Sequence, residues 1–247
     1  MLDQSSSPNQ SAPTPEREAN VPRSLAVAGG SLVLGFILAL LALGAFALLA
    51  FSFGHGVFER LDDTALRGAY SLRVNQSWLT PLMRTATVVG DVWGIAVQAL
   101  LVCGFLLWRK PLHWRSNLVL LLLVLIGAAV LFVTLKSQFA RPRPQLYSSP
   151  YPLTSYSFPS GHSTAAAAFY GGLAVIAARS MRGRGRRTAV ALLAAVITVT
   201  IGLSRMYFSV HYPTDILGGF SAGVGWLVAV QTIWQGIIWR HNHVARH

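Results

Sequence analysis

The sequence predicts an all-α integral membrane protein with six transmembrane helices. Three observations predict it. The 247 residues are 53% hydrophobic and only 11% charged, whereas soluble domains carry about 25% charged residues. Apolar runs of about 20 residues, the length that crosses a bilayer, recur along the chain. The formal charge of +12 is carried between those runs and not on one face, where orientation signals belong.

Residues 1–22 are rich in Ser, Pro, Asn and Gln and lack an apolar period, so they read as a disordered tail. A first apolar run extends from about Leu25 to Phe53. It contains Ala45-Phe46-Ala47, which resembles a signal-peptidase site. The run exceeds the about 7–15 residues of a signal core, so an uncleaved first span is expected. Residues 54–84 mix Glu59, Asp62, Asp63, Arg67 and Arg73 with apolar residues, as a surface amphipathic segment or an exposed loop would.

Further runs fall at about 85–108, 117–139, 162–180, 188–206 and 214–239, six spans in all. Gly219 and Gly223 form a small-xxx-small pair suited to close helix packing. Trp108, Trp114, Trp234 and Trp239 lie near run ends, as interfacial aromatics do. The expected organisation is a membrane domain over 23–241 and a short C-terminal tail over 242–247.

Lys and Arg counts orient the spans. Arg17 and Arg23, then Arg109, Lys110 and Arg115, then Arg179, Arg182, Arg184, Arg186 and Arg187, then Arg240 and Arg246 all fall on one side of a six-span chain. That side is expected to be the cytoplasm of a plasma (inner) membrane, with both termini facing it. Basic ends there could meet anionic lipid head groups. The scattering of the cations argues against nucleic acid as a partner. Cys103 is the single cysteine. It reads as a small packing residue, and no disulfide or cysteine metal site can form within the chain.

Three segments at the outer ends of these runs gather costly charges, and an ionisable group at a membrane edge is a functional hypothesis by default. The first is Lys136 followed by Arg143-Pro144. An arginine fork and a lysine point charge suit phosphate oxygens, although snorkelling cations at a helix end look the same. Arg141, two residues from Arg143, ranks lower as a phosphate ligand.

The second segment is Pro159-Ser160-Gly161-His162. Gly161 lets backbone approach a ligand, and the N–H groups of a starting helix favour an anion. Ser160 can add a hydroxyl. The third is Ser204-Arg205 leading to His211 and Asp215. Pro213 suits a first helical turn. One turn of chain can join the Asp215 carboxylate to the His211 imidazole, leaving the other ring nitrogen as a nucleophile. A capping aspartate near an incidental histidine is the ordinary alternative.

Taken jointly and in order, the segments resemble the signature of the type 2 phosphatidic acid phosphatase superfamily. Lys136, Arg143, Pro144, Pro159, Ser160, Gly161, His162, Ser204, Arg205, His211 and Asp215 match every position of that signature. The resemblance implies a phosphatase that needs no metal or other cofactor. In it His211 attacks phosphorus, Asp215 orients His211, and His162 protonates the leaving oxygen. Lys136, Arg143, Arg205, Ser160 and Gly161 would hold the phosphate. The site would be built from extracytoplasmic loops and helix ends. Glu59, Asp62, Asp63 and Asp91, the acids left outside the tail and the motifs, are too scattered for an evident metal site.

A site at the outer face, with Tyr147, Tyr151, Tyr156 and Phe158 between its first two segments, suggests a lipid phosphate as substrate. By analogy with the family, undecaprenyl diphosphate fits the compact six-span layout best. Phosphatidylglycerol phosphate and phosphatidic acid are the alternatives. A phosphotransferase with a polyprenyl diphosphate donor would use the same residues. A soluble vanadate-dependent haloperoxidase is opposed by the spans, and a membrane scaffold or transporter is the non-enzymatic rival. Oligomeric state is not legible.

Overall fold

The computed structural model describes residues 15–52, 56–151 and 154–244. Among them are eight helices and no strand: α1 (Pro15–Ala50), α2 (Gly56–Asn75), α3 (Leu79–Gly90), α4 (Val92–Arg109), α5 (Trp114–Phe139), α6 (Gly161–Ser180), α7 (Arg184–Tyr207) and α8 (Pro213–Val244). Residues 1–14 of the expected tail lie outside the described residues. Helix α1 is already formed at Pro15, ahead of the boundary that composition suggests.

Among the described residues, five helices are long and apolar enough to cross a membrane: Gly29–Ala50, Val92–Arg109, Trp114–Phe139, Arg184–Tyr207 and Pro213–Ile238. Their outward faces carry exposed side chains such as Leu40, Leu100, Leu101 and Ile126, which only a lipid solvent makes favourable. The sixth expected span, α6, has 20 residues but is not among these five. It packs against α5, α7 and α8, and buries Ser163, Thr164, Ala166, Ala167, Ala168 and Phe169. A helix whose neighbours are protein needs small residues for close approach more than it needs greasy ones.

Gly219 and Gly223 make that approach possible. A Cβ on Gly219 would stand 2.6 Å from the Ser160 carbonyl oxygen, and one on Gly223 would meet the Thr164 carbonyl oxygen at 2.5 Å. The small-xxx-small pair of α8 therefore seats the first turns of α6.

One expectation from the apolar pattern is corrected. The run at 85–108 is not one helix. It breaks at Asp91, whose extended backbone ends α3 and whose carboxylate accepts from Trp93 N at 3.4 Å to cap α4. An aspartate stabilises a helix start better than a helix interior. Of the two readings of the mixed segment after α1, the structure shows helices and not a simple loop: it holds α2 and the start of α3, and α2 packs on α7 and α8.

The connection between α5 and α6 is irregular but anchored. Phe158 is fully buried, with ring centroids 5.3 Å from Phe46 and 5.3 Å from Phe139. Burying such a side chain is worth about 1.5–3 kcal/mol. Ser157 closes the loop by donating its N–H to Arg141 O at 2.8 Å and its hydroxyl to Pro142 O at 3.0 Å. Tyr147 stacks on Tyr70 at 3.9 Å, tying the same loop to α2.

Candidate active site

The C-terminal ends of α5 and α7, the N-terminal ends of α6 and α8, and the loop over 140–160 converge at one end of the bundle. They enclose a cavity of about 140 Å³ lined by Lys136, Arg143, Gly161, His162, Arg205 and His211. Ser155, Gly90, Val92, Phe132 and Ala165 complete the lining, and none of these residues is acidic. Residues spread from 136 to 211 are thus brought to one place.

His211 sits at the base, 2% exposed. Its Nδ1 lies 3.4 Å from Asp215 Oδ2, and its Nε2 lies 3.2 Å from Arg143 Nη1. A proton on Nδ1 faces the carboxylate, which leaves the Nε2 lone pair toward the guanidinium. Burial is the main cause, with Arg143, Lys136 and Arg205 adding to it, that holds this imidazole well below its ordinary pKa of 6.5. A ring held in that state is neutral at neutral pH, the form in which an imidazole nitrogen can act as a nucleophile.

Asp215 is wholly buried at the start of α8. Its Oδ2 also accepts from Tyr212 N at 2.8 Å, and its Oδ1 accepts from Arg141 Nη1 at 2.6 Å. Arg141 reaches on to Asp62 Oδ2 at 2.8 Å. Thr214 donates to the same Asp62, from its N–H at 3.0 Å and its hydroxyl at 2.6 Å. A buried carboxylate needs such partners, since an unpaired buried charge costs several kcal/mol. Arg141, Asp62 and Thr214 thus support the His211–Asp215 pair from behind, a place the sequence reading, which ranked Arg141 as a minor phosphate ligand, gave to none of them. Asp62 is separated from Thr214 by 152 positions, so no local pattern could have linked them.

The cations are held in different ways. Arg143 donates from Nε to Ser155 O at 2.7 Å, from Nη1 to Val210 O at 2.7 Å and from Nη2 to Ser155 Oγ at 3.0 Å. Burial lowers its pKa from the usual arginine value, while Asp215 opposes that shift. Lys136 donates to Tyr156 O at 2.7 Å. Arg205 is 2% exposed, its guanidinium lies 5.6 Å from the Tyr151 ring centroid, and its buried Nε has no acceptor among the described residues.

Two motif serines are placed away from the cavity wall. Ser160 is buried as the N-cap of α6, with its hydroxyl oxygen accepting from Ser163 N at 3.4 Å and Ser163 Oγ at 3.1 Å. Ser204 donates to Ile201 O at 2.7 Å and meets Thr87 Oγ1 at 2.8 Å, fastening α7 to α3 beside Arg205. Gly161, by contrast, brings the first turn of α6 to the cavity, where free backbone N–H groups attract an anion.

An apolar groove of about 270 Å³ runs between α4, α5 and α6. It shares Val92, Phe132 and Ala165 with the cationic cavity, so the two adjoin. Among the described residues no group of three His, Cys, Asp or Glu side chains could hold a metal ion.

The PAP2 superfamily pattern matches residues 117–239, which hold every motif residue named above. Phosphatidylglycerophosphatase B of Bacillus subtilis (strain 168) is 32% identical over 181 residues, covering 72% of this chain and 86% of that protein. The putative undecaprenyl-diphosphatase YbjG of Escherichia coli (strain K12) is 32% identical over 137 residues, 53% of this chain and 64% of that one. In structure, the chain resembles a transmembrane PAP2-type phosphatidylglycerolphosphate phosphatase from Bacillus subtilis with a TM-score of 0.70 and 28% identity, over 79% of this chain and 94% of that one. Aquifex aeolicus LpxE shares the fold with a TM-score of 0.55 at 21% identity, over 69% of this chain and 94% of that one. The chain belongs to the PAP2 superfamily and is a membrane lipid phosphatase.

Proposed function

We propose that the protein hydrolyses a lipid phosphomonoester through a phosphohistidine on His211, with phosphatidylglycerol phosphate as the first substrate to test. One observation carries the reading: three cations, with His211 Nε2 turned toward one of them, surround a cavity without an acidic lining residue. Such a cavity suits an anion carrying more than one charge. The likeness to phosphatidylglycerophosphatase B, which extends over most of both chains, supports the choice of lipid. Undecaprenyl diphosphate is the second reading, supported by the shorter match to YbjG and by the compact layout.

In the first step His211 Nε2 forms a bond to phosphorus while the phosphorus–oxygen bond to the lipid breaks. His162 gives a proton to the departing lipid oxygen. In the second step water attacks phosphorus, the phosphorus–nitrogen bond breaks, His211 regains its lone pair, and His162 takes the proton from water. Lys136, Arg143, Arg205 and the Gly161 N–H stabilise the equatorial oxygens, which is where phosphoryl transfer needs charge. Asp215 keeps the His211 ring in the reactive tautomer. The apolar groove along α4, α5 and α6 accommodates the lipid chain. In this reading α6 is a sixth span, both termini are cytoplasmic, and the cavity opens on the outer face.

The test is phosphate release by the purified chain from phosphatidylglycerol phosphate, undecaprenyl diphosphate and phosphatidic acid, each with and without EDTA. Release that EDTA leaves unchanged supports the reading. No release by a folded sample in the absence of an acceptor lipid overturns the hydrolase assignment, and inhibition by EDTA overturns the metal-independent one.

A further inference from the structure

Asp91 is a charge inside an apolar stretch that the mechanism above does not use. It stands at the α3–α4 break, between Gly90 and Val92, both of which line the catalytic cavity. Its Oδ1 lies 3.5 Å from His162 Nε2, while its Oδ2 caps α4 through Trp93 N. Nε2 of His162 is shut from solvent and has no hydrogen-bond partner among the described residues. Asp91 is thus the polar group that this nitrogen faces, at a separation that a small rotation converts into a hydrogen bond.

The remaining surroundings of His162 are cationic. Arg205 on α7, Lys136 on α5 and Arg143 in the loop line the same cavity as His162, together with His211 before α8. A general acid must carry that proton when the lipid oxygen departs. Bound phosphate offsets part of the repulsion, and Asp91 is the fixed counter-charge on the far side of the imidazole. With Nε2–H directed at the carboxylate, Nδ1 is the nitrogen left to serve the substrate.

We propose that Asp91 is a positioning residue for His162, which fixes the ring with Nε2 toward α4 and favours its protonated form so that Nδ1–H donates to the leaving oxygen. The inference rests on the His162 role proposed above. During lipid departure the Nδ1 proton passes to the lipid oxygen, His162 becomes neutral, and Asp91 stays ionised. Attack by water returns the proton to Nδ1. The break between α3 and α4 thereby serves the chemistry, because an unbroken helix would bury Asp91 along its side instead of presenting it at a helix start.

The test uses Asp91→Asn, which still caps α4 but lacks the charge. Two esters are compared in detergent: phosphatidylglycerol phosphate, whose alkoxide leaves poorly without a proton, and p-nitrophenyl phosphate, whose nitrophenolate leaves without one. The expected result is a fall in kcat of about 10-fold or more on the lipid, a KM within about twofold, and a much smaller loss on the aryl ester. In a His162→Ala background, Asp91→Asn is expected to cost nothing further. Equal losses on both esters, a change confined to KM, or an additional loss in the double variant would overturn the proposal; where the aryl ester is not turned over, the double variant decides. If the unaltered protein releases no phosphate from the lipid, it is the proposed function that fails.

Discussion

Arg141 donates to Asp215 across 2.6 Å and turns away from the phosphate cavity, although it lies two residues from Arg143, which lines it. The division follows from the loop's geometry. Ser157 pairs with the Arg141 carbonyl and fixes that residue's place in the loop. The guanidinium then bridges Asp215 and Asp62 and lies 4.1 Å from the Tyr212 ring centroid. Arg141 supports the carboxylate that faces His211, while Arg143 faces the cavity.

Removing that support should cost both stability and turnover. Arg141→Met leaves Asp62 and Asp215 as buried carboxylates without their cation, a loss of about 3–5 kcal/mol by analogy with other broken buried pairs. Thermal unfolding and phosphate release measure the two effects. A variant as stable and as active as the parent would show that Arg141 is dispensable to the pair.

The buried His211 makes stability depend on pH with a definite sign. In the unfolded chain its imidazole gains a proton below about 6.5, whereas in the fold burial and the neighbouring cations keep the proton off to a much lower pH. The unfolded state therefore binds more protons as pH falls, so this contribution is complete above 6.5 and shrinks as the solution is acidified. The unfolding temperature should fall between pH 7 and pH 5, and His211→Asn should fall less. Identical slopes for the two proteins would refute the assignment. The same variant should release no phosphate and trap no phosphoenzyme.

Arg205 offers the cleanest test of anion binding, because its Nε is buried without an acceptor among the described residues. Arg205→Met keeps the length of the stem and removes the charge. A loss of about 10²–10³ in kcat/KM is expected, in line with deletion of one transition-state donor. Inhibition by inorganic phosphate should weaken in parallel. Removal of this buried cation should leave the unfolding temperature unchanged or higher, and a large drop would mean that Arg205 is structural.

Gly219 should be intolerant of even one methyl group. A Cβ there meets Ser160 O at 2.6 Å, whereas at Gly44 it meets nothing within 4 Å. Gly219→Ala forces α6 and α8 apart at about 1–3 kcal/mol. It should also reduce turnover by displacing Gly161 and His162. Gly44→Ala serves as the control and should leave both unchanged.

The chemistry was legible in the chain because charge in a greasy sequence is conspicuous. Lys136, Arg143, Gly161, His162, Arg205 and His211 all line one cavity. Ser160 was read as a phosphate donor, but its hydroxyl caps α6 from a buried position. No sequence rule separates a capping serine from a binding one when both stand at a helix start. Asp91 and Asp62 were visible only as stray acids, since their partners lie at remote positions on other helices.

The sequence by itself determined the apolar helices, the order of the three motifs and the cations available for phosphate. These follow from hydropathy and residue type, which act locally. Tertiary structure alone decided that Arg141 faces inward and Arg143 outward, that the run after Thr85 breaks at Asp91, and that α6 fills the centre of the bundle with small residues. Each of these depends on which helix lies alongside, and helix proximity is set by packing over long separations in the chain.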